Sequence, residues 1–145
     1  MRSLFLLGLL TCIIVSCQPG ANDKTAGNTT TDSVVAPIQV LYFHQLRRCP
    51  SCIAIEDETK KILADTYDTQ VKAGTISFRE INVDEEQNQA IAEKYQIAGS
   101  ALLIIKTTDG KEEIADLTGD GFKLARNMPD MFREELTATL DTFLK

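Results

Sequence analysis

The stretch Ile38-Gln39-Val40-Leu41-Tyr42-Phe43-His44-Gln45-Leu46-Arg47-Arg48-Cys49-Pro50-Ser51-Cys52 decides how the chain is read. Residues 38–44 are mostly apolar and rich in β-formers, which predicts a strand. Pro50 suits the first turn of a helix, where its missing N–H is not needed. The stripe Cys52, Ile55, Thr59, Ile62, Leu63 and Thr66 predicts that helix from Pro50 to about Tyr67. A Cys-x-x-Cys pair therefore falls at a strand-to-helix junction. At that helix start, unpaired N–H groups and the macrodipole stabilise a thiolate, and Arg47 and Arg48 add positive charge beside it. Cys49 is the expected nucleophile. Cys52, one turn later on the same side, is the expected resolving thiol, which attacks a mixed disulfide formed at Cys49.

Working outward, Gly74 breaks the chain and residues 75–83 predict a second strand. Asp84 is placed to cap a helix running through Tyr95, with Glu85 and Glu86 in its first turn. Residues 101–106 form an apolar third strand, Asp109-Gly110 a hairpin turn, and residues 111–117 a fourth strand. Gly119-Asp120-Gly121 reads as a turn. A last helix over 129–144 carries apolar Met131, Phe132, Leu136, Leu140, Phe143 and Leu144. The order β-α-β-α-β-β-α over residues 38–145 predicts an α/β domain, a mixed four-stranded sheet with helices on both faces.

Before this domain the character of the chain changes twice. Met1-Arg2-Ser3 is a short positive start and residues 4–15 are a largely apolar run of 12, the length of a signal-peptide core rather than a membrane span. Ile14-Val15-Ser16-Cys17 resembles a bacterial lipobox, which implies removal of residues 1–16 as a lipoprotein signal peptide and a diacylglycerol on Cys17. Residues 17–37 then follow as the lipidated cysteine and a flexible linker, because 12 of the 19 residues from 18 to 36 are Gly, Pro, Ser, Thr, Asn or Asp. Gln18 stands where an Asp would resemble the inner-membrane retention signal of enteric bacteria, which favours an outer-membrane anchor facing the periplasm. The formal charge of −6 over 145 residues opposes a nucleic-acid partner, since phosphate binding needs a basic face. One His, and no second cysteine pair once Cys12 and Cys17 are accounted for, leave too few ligands for a structural zinc site.

The element order, with Cys49-Pro50-Ser51-Cys52 between the first strand and helix, resembles the thioredoxins over essentially all of residues 38–145. Residues 81–99 resemble the thioredoxin stretch that leads into the loop facing the active site. There are departures. Arg48 replaces the tryptophan before the first cysteine, Leu41-Tyr42-Phe43 lacks the buried aspartate, and Ser100-Ala101 stands where thioredoxins have a residue followed by cis-proline. Phe43-His44, Arg48-Cys49-Pro50-Ser51-Cys52 and Ile55-Glu56 resemble more closely the small thioredoxin-fold proteins named the nitrophenyl compound nitroreductase subunit ArsF family. That resemblance implies an envelope thiol protein working with a protein thiol or disulfide partner, such as a DsbD-like transmembrane electron carrier or an efflux permease.

The flanking residues admit more than one role. Arg47 and Arg48 are thiolate-tuning charges or a solvated pair. Glu56, four residues past Cys52, is a nearby base or a solvated helix carboxylate. His44 is a proton acceptor, a hydrogen-bonded strand end, or a third ligand to a soft metal or metalloid such as copper(I), zinc or arsenite held by Cys49 and Cys52. Two functional readings follow, thiol–disulfide exchange or relay through the redox-active Cys49–Cys52 pair without any other cofactor, and soft-metal binding by the same thiolates. For the N-terminus the expected outcome is direct: intact-mass analysis of membrane-extracted protein shows residues 1–16 absent and a lipid mass on Cys17. A mature N-terminus at any other residue overturns it.

Overall fold

The computed structural model describes residues 36–145, so the expected signal peptide, the lipid site Cys17 and nearly all of the linker lie outside the described residues. The described residues form one compact unit. Four strands, β1 (Ile38–His44), β2 (Ile76–Asn82), β3 (Ala101–Thr108) and β4 (Lys111–Asp116), make a sheet in the order β2-β1-β3-β4. β1 runs parallel to β2 and antiparallel to β3, and β4 is antiparallel to β3. Helix α1 (Pro50–Thr66) and a short α2 (Asp68–Lys72) connect β1 to β2, and α3 (Gln89–Lys94) connects β2 to β3. After β4 come α4 (Thr118–Leu124) and α5 (Pro129–Phe143). This order and these orientations are the thioredoxin fold, as the sequence predicts. Among the described residues no helix is long and apolar enough to cross a membrane.

Alternation along the two central strands builds two cores. Ile38, Val40 and Tyr42 of β1, with Leu102 and Ile104 of β3, pack against Ile55, Ile62 and Leu63 of α1 and Phe132, Leu136 and Leu140 of α5. Leu41, Phe43, Leu103 and Ile105 face the other way, onto Ile91, Tyr95 and Ile97 around α3. Burial on both faces is why these strands read as apolar runs without a polar face. At the β3–β4 hairpin Asp109 and Gly110 both take positive φ, 51° and 74°, the geometry that lets a two-residue turn match the strand twist.

Four local expectations are corrected. Asp84 does not cap a helix: its carboxylate accepts the N–H of Leu46 at 2.7 Å, and the chain passes through a 3-10 turn at Glu86–Asn88 before α3 begins. In α1, Thr66 is exposed and Glu56 takes a place in the buried stripe. In α5, Met131 is exposed while Phe132, Leu136, Leu140 and Phe143 are buried.

The expected turn at Gly119-Asp120-Gly121 is helical, part of α4. Gly121 is there because α4 lies against α1: a Cβ on it would sit 3.1 Å from Ile55 Cδ1 and Cγ1, whereas one on Gly119 would meet nothing within 4 Å. Alanine favours a helix over glycine by about 1 kcal/mol, and overpacking a core costs about 1–3 kcal/mol. Ile55 is 1% exposed, so any shift to admit a Cβ is made within the packed core. Urea unfolding is therefore expected to show Gly119→Ala more stable than wild type and Gly121→Ala less stable. Equal gains in both would show that Ile55 moves aside.

Candidate functional site: a cysteine pair capping a helix

Where β1 ends, the chain turns through residues 45–48 and enters α1 at Cys49. Cys49 has extended backbone, φ −80° and ψ 161°, and Pro50 follows in the first turn. The Cys52 N–H donates to Cys49 Sγ at 3.2 Å, so the thiol itself is the side-chain cap of the helix. This bond satisfies one of the orphan N–H groups at a helix start and places that donor on the sulfur. The Cys49 thiol is held below its ordinary value, first by the hydrogen bond with the Cys52 thiol, then by the Cys52 N–H, with the Ser51 N–H adding to them. Cys49 is exposed and Cys52 is buried, 6% exposed.

Two further groups fix Cys52. The Tyr42 hydroxyl, reaching up from β1, donates to the Cys52 carbonyl at 2.7 Å. Burial raises the Tyr42 pKa to about 12, so near neutral pH this hydroxyl is a permanent donor. From the loop before β3, Ser100 Oγ lies 3.6 Å from Cys52 Sγ. Ala101 begins β3, buried and in register with Phe43. The loop expected to face the cysteine pair therefore does face it, with a hydroxyl on the buried sulfur.

The charged neighbours are arranged differently from expectation. The Arg48 guanidinium is engaged elsewhere than at a sulfur: it pairs with Glu56 and lies 5.6 Å from the centroid of the Tyr42 ring. Glu56 also pairs with Lys60, and Lys60 bridges to Glu80 of β2 at 2.9 Å. Glu56 is 7% exposed, which removes the solvated-carboxylate reading. Burial works against its charge, and the polar side chains of Glu80, Lys60 and Arg48 more than offset this and hold the carboxyl at about 2. A carboxylate that weak a base does not take a proton from a thiol near neutral pH, which removes the general-base reading as well. Arg47 is exposed in the turn.

His44, at the end of β1, is half-buried, with its ring stacked 5.8 Å from that of Tyr42 and Nδ1 3.0 Å from the Gln45 carbonyl. Among the described residues no three His, Cys, Asp or Glu side chains come together as a metal-holding group. The set Cys49, Cys52 and His44 is thus not assembled, because the imidazole is turned onto Tyr42 and the neighbouring Gln45 carbonyl.

Tyr42, Lys60 and Glu80 belong to the site and were not singled out in the sequence. Tyr42 looks like any core aromatic in an apolar strand. Lys60 is four residues past Glu56, a spacing that signals a helix ion pair. Glu80 carries no local signal, since only the parallel β1–β2 pairing brings it near α1.

No family model matches this sequence, and no curated protein sequence is significantly similar to it. Among solved structures, the solution structure of a thioredoxin from Thermus thermophilus is similar at 19% identity over 71% of this chain and 73% of that one, with a TM-score of 0.47. A malarial protein is similar at 15% identity over 68% and 94% of the two chains, with a TM-score of 0.41. Likeness at this level adds nothing beyond the fold, which rests on this chain's own strand order.

The Glu56 pairs make the site acid-sensitive in a defined window. A carboxyl that titrates at about 2 when folded and at 4.5 ordinarily contributes its stability in full above 4.5 and loses it as pH falls from there toward 2. Urea unfolding at a series of pH values should find wild type more stable than Glu56→Gln at pH ~6, with the difference shrinking below pH ~4.5. A difference that stays constant with pH would show that the Glu56 charge contributes nothing to the folded state.

Proposed function

We propose that this protein is a thiol–disulfide oxidoreductase or electron relay working through Cys49 and Cys52. The observation that carries this reading is the exposed Cys49 sulfur capping α1 with its thiol lowered, one turn from a buried second thiol. Cys49 as thiolate attacks one sulfur of a partner disulfide, forming a mixed disulfide and releasing the other partner sulfur as a thiolate that takes up a proton. Cys52, losing its proton to solvent, then attacks the Cys49 sulfur. The mixed disulfide breaks, Cys49 and Cys52 close their own disulfide, and the second partner thiol leaves. Two electrons and two protons pass to the partner, and the reverse sequence oxidises a partner dithiol. Ser100 Oγ stands beside the sulfur that must lose its proton in the second step. Tyr42, an un-ionised donor, holds the Cys52 backbone and takes no proton.

The placement of this chemistry in the cell rests on sequence. The lipobox-like Ile14-Val15-Ser16-Cys17 and the linker that follows support a lipid anchor in the bacterial envelope, with the domain facing the periplasm. A linker of this composition gives a reach on the order of 25 Å, enough to meet a membrane-bound partner. The likeness of Phe43-His44, Arg48-Cys49-Pro50-Ser51-Cys52 and Ile55-Glu56 to ArsF-type proteins supports one dedicated partner, a DsbD-like carrier or an efflux permease.

Expressed in a bacterial envelope, the Cys52→Ser variant is expected to accumulate mixed disulfides through Cys49, visible as adducts on non-reducing gels that collapse on reduction. Cys49→Ser should accumulate none. If neither variant forms adducts and the purified wild type fails to reduce or oxidise a model disulfide, the oxidoreductase reading is wrong.

A further inference from the structure

Arg48 immediately precedes the nucleophile, and consecutive Cα atoms are about 3.8 Å apart, so a free guanidinium at this position reaches the Cys49 sulfur easily. It is held elsewhere. Glu56, from the second turn of α1, pairs with it across the cysteine motif, while the Tyr42 ring lies beneath it. The Arg48 Nε is buried without a hydrogen-bond partner, so the side chain is kept in this position despite an unmet donor. What keeps it there is charge: Glu56 is buried and bonded to Arg48 on one side and Lys60 on the other. Glu80 supports the same cluster from β2, 4.0 Å from Arg48 and 2.9 Å from Lys60.

We propose that Glu56 is a positioning residue for the nucleophile: it holds the Arg48 guanidinium against Tyr42 and away from Cys49, so that the thiolate is stabilised by the helix N–H groups and not by the adjacent arginine. This deepens the reading of Cys49 as the nucleophile and rests on it. The arrangement accounts for Arg48 and Glu56 occurring eight residues apart around the cysteine pair, since together they form one charge-balanced clip bracketing it. Breaking a buried ion pair on one side leaves an uncompensated charge that leaves its site or acts on its surroundings. Without the carboxylate, the guanidinium is released beside Cys49 and favours its thiolate. Without the guanidinium, the carboxylate retains only Lys60 and disfavours a second negative charge nearby. Removing both restores balance. Tyr42 and, stacked on it, His44 from β1, Cys52 and Lys60 from α1 and Glu80 from β2 are the other titratable or charged groups at the clip, and all are unchanged in these variants.

The test is the rate at which iodoacetamide alkylates Cys49 in the reduced full chain at one pH near 6, resolved from Cys52 by peptide mass spectrometry. Glu56→Gln, Arg48→Gln and the double variant are compared with wild type. A tenfold gain in thiolate is offset about threefold by the lower nucleophilicity of a more acidic thiol, so Glu56→Gln is expected to react roughly threefold faster and Arg48→Gln roughly threefold slower. The double variant is expected to react at the wild-type rate. If Glu56→Gln does not fold, the other two decide. Recovery in the double variant of a rate lost in Arg48→Gln supports the clip, and an equal loss in both overturns it, because Arg48 then acts on Cys49 directly. Unchanged rates throughout, with only unfolding midpoints lowered, also overturn it and leave the pair a structural one. Alkylation needs no partner or disulfide, so this outcome is independent of whether the protein exchanges disulfides.

Discussion

β1 is paired on both edges and covered on both faces, and the position of every group at the cysteine pair follows from where this strand ends. Tyr42, two residues before the strand ends and on the α1 side, is packed under the helix start and spans the gap to the Cys52 carbonyl with its hydroxyl. Phe43, one step later, points to the other core and anchors the register with Ala101. That register sets where the loop before β3 ends, and so brings Ser100 to the buried sulfur. A slip of one residue in β1 would exchange the two faces and remove the tyrosine from the helix start.

The turn between β1 and α1 is held at both ends, at its start by groups distant in sequence. Asp84 accepts the Leu46 N–H, and the Val83 N–H donates to the His44 carbonyl at 2.8 Å, so the start of the loop after β2 is tied to the turn before Cys49. At the other end the Arg48–Glu56 pair and the Cys49 cap close it. A loop fixed in this way presents the thiol at constant geometry, which a nucleophile needs if its neighbours are to act on its charge rather than on its position.

The Leu41-Tyr42-Phe43 segment of β1 places no carboxylate beside the buried Cys52 thiol. Its polar surroundings are instead a hydroxyl that stays protonated and another, Ser100, that can donate to or accept from sulfur. Glu56, a buried carboxylate near the site, is committed to two cations and is strongly acidic. The site is therefore built of donors and balanced charges rather than of a proton-accepting base.

Periodicity and spacing alone determined the four strands with α1, α3 and α5 in their order, the cysteine pair at a helix start and the hairpin at Asp109-Gly110, because these depend on neighbours within a few residues along the chain. The same local signal reaches Glu56 only in part: it lies four residues from Cys52, which puts it on the buried stripe of α1, while its acidic side chain suggests a base or a solvated carboxylate. α4 was hidden for the opposite reason. Two glycines suggest a turn, and only the close approach of Ile55 explains a glycine inside a helix. The direction of Arg48 was beyond local reading, since whether a long cation beside a cysteine faces the sulfur or turns away depends on a carboxylate and an aromatic ring brought together by folding. Tertiary structure decided that, as it decided the contact of Ser100 with Cys52 from 48 residues away. Chain-local forces choose which elements form, and the packing of those elements chooses which charges and hydroxyls meet.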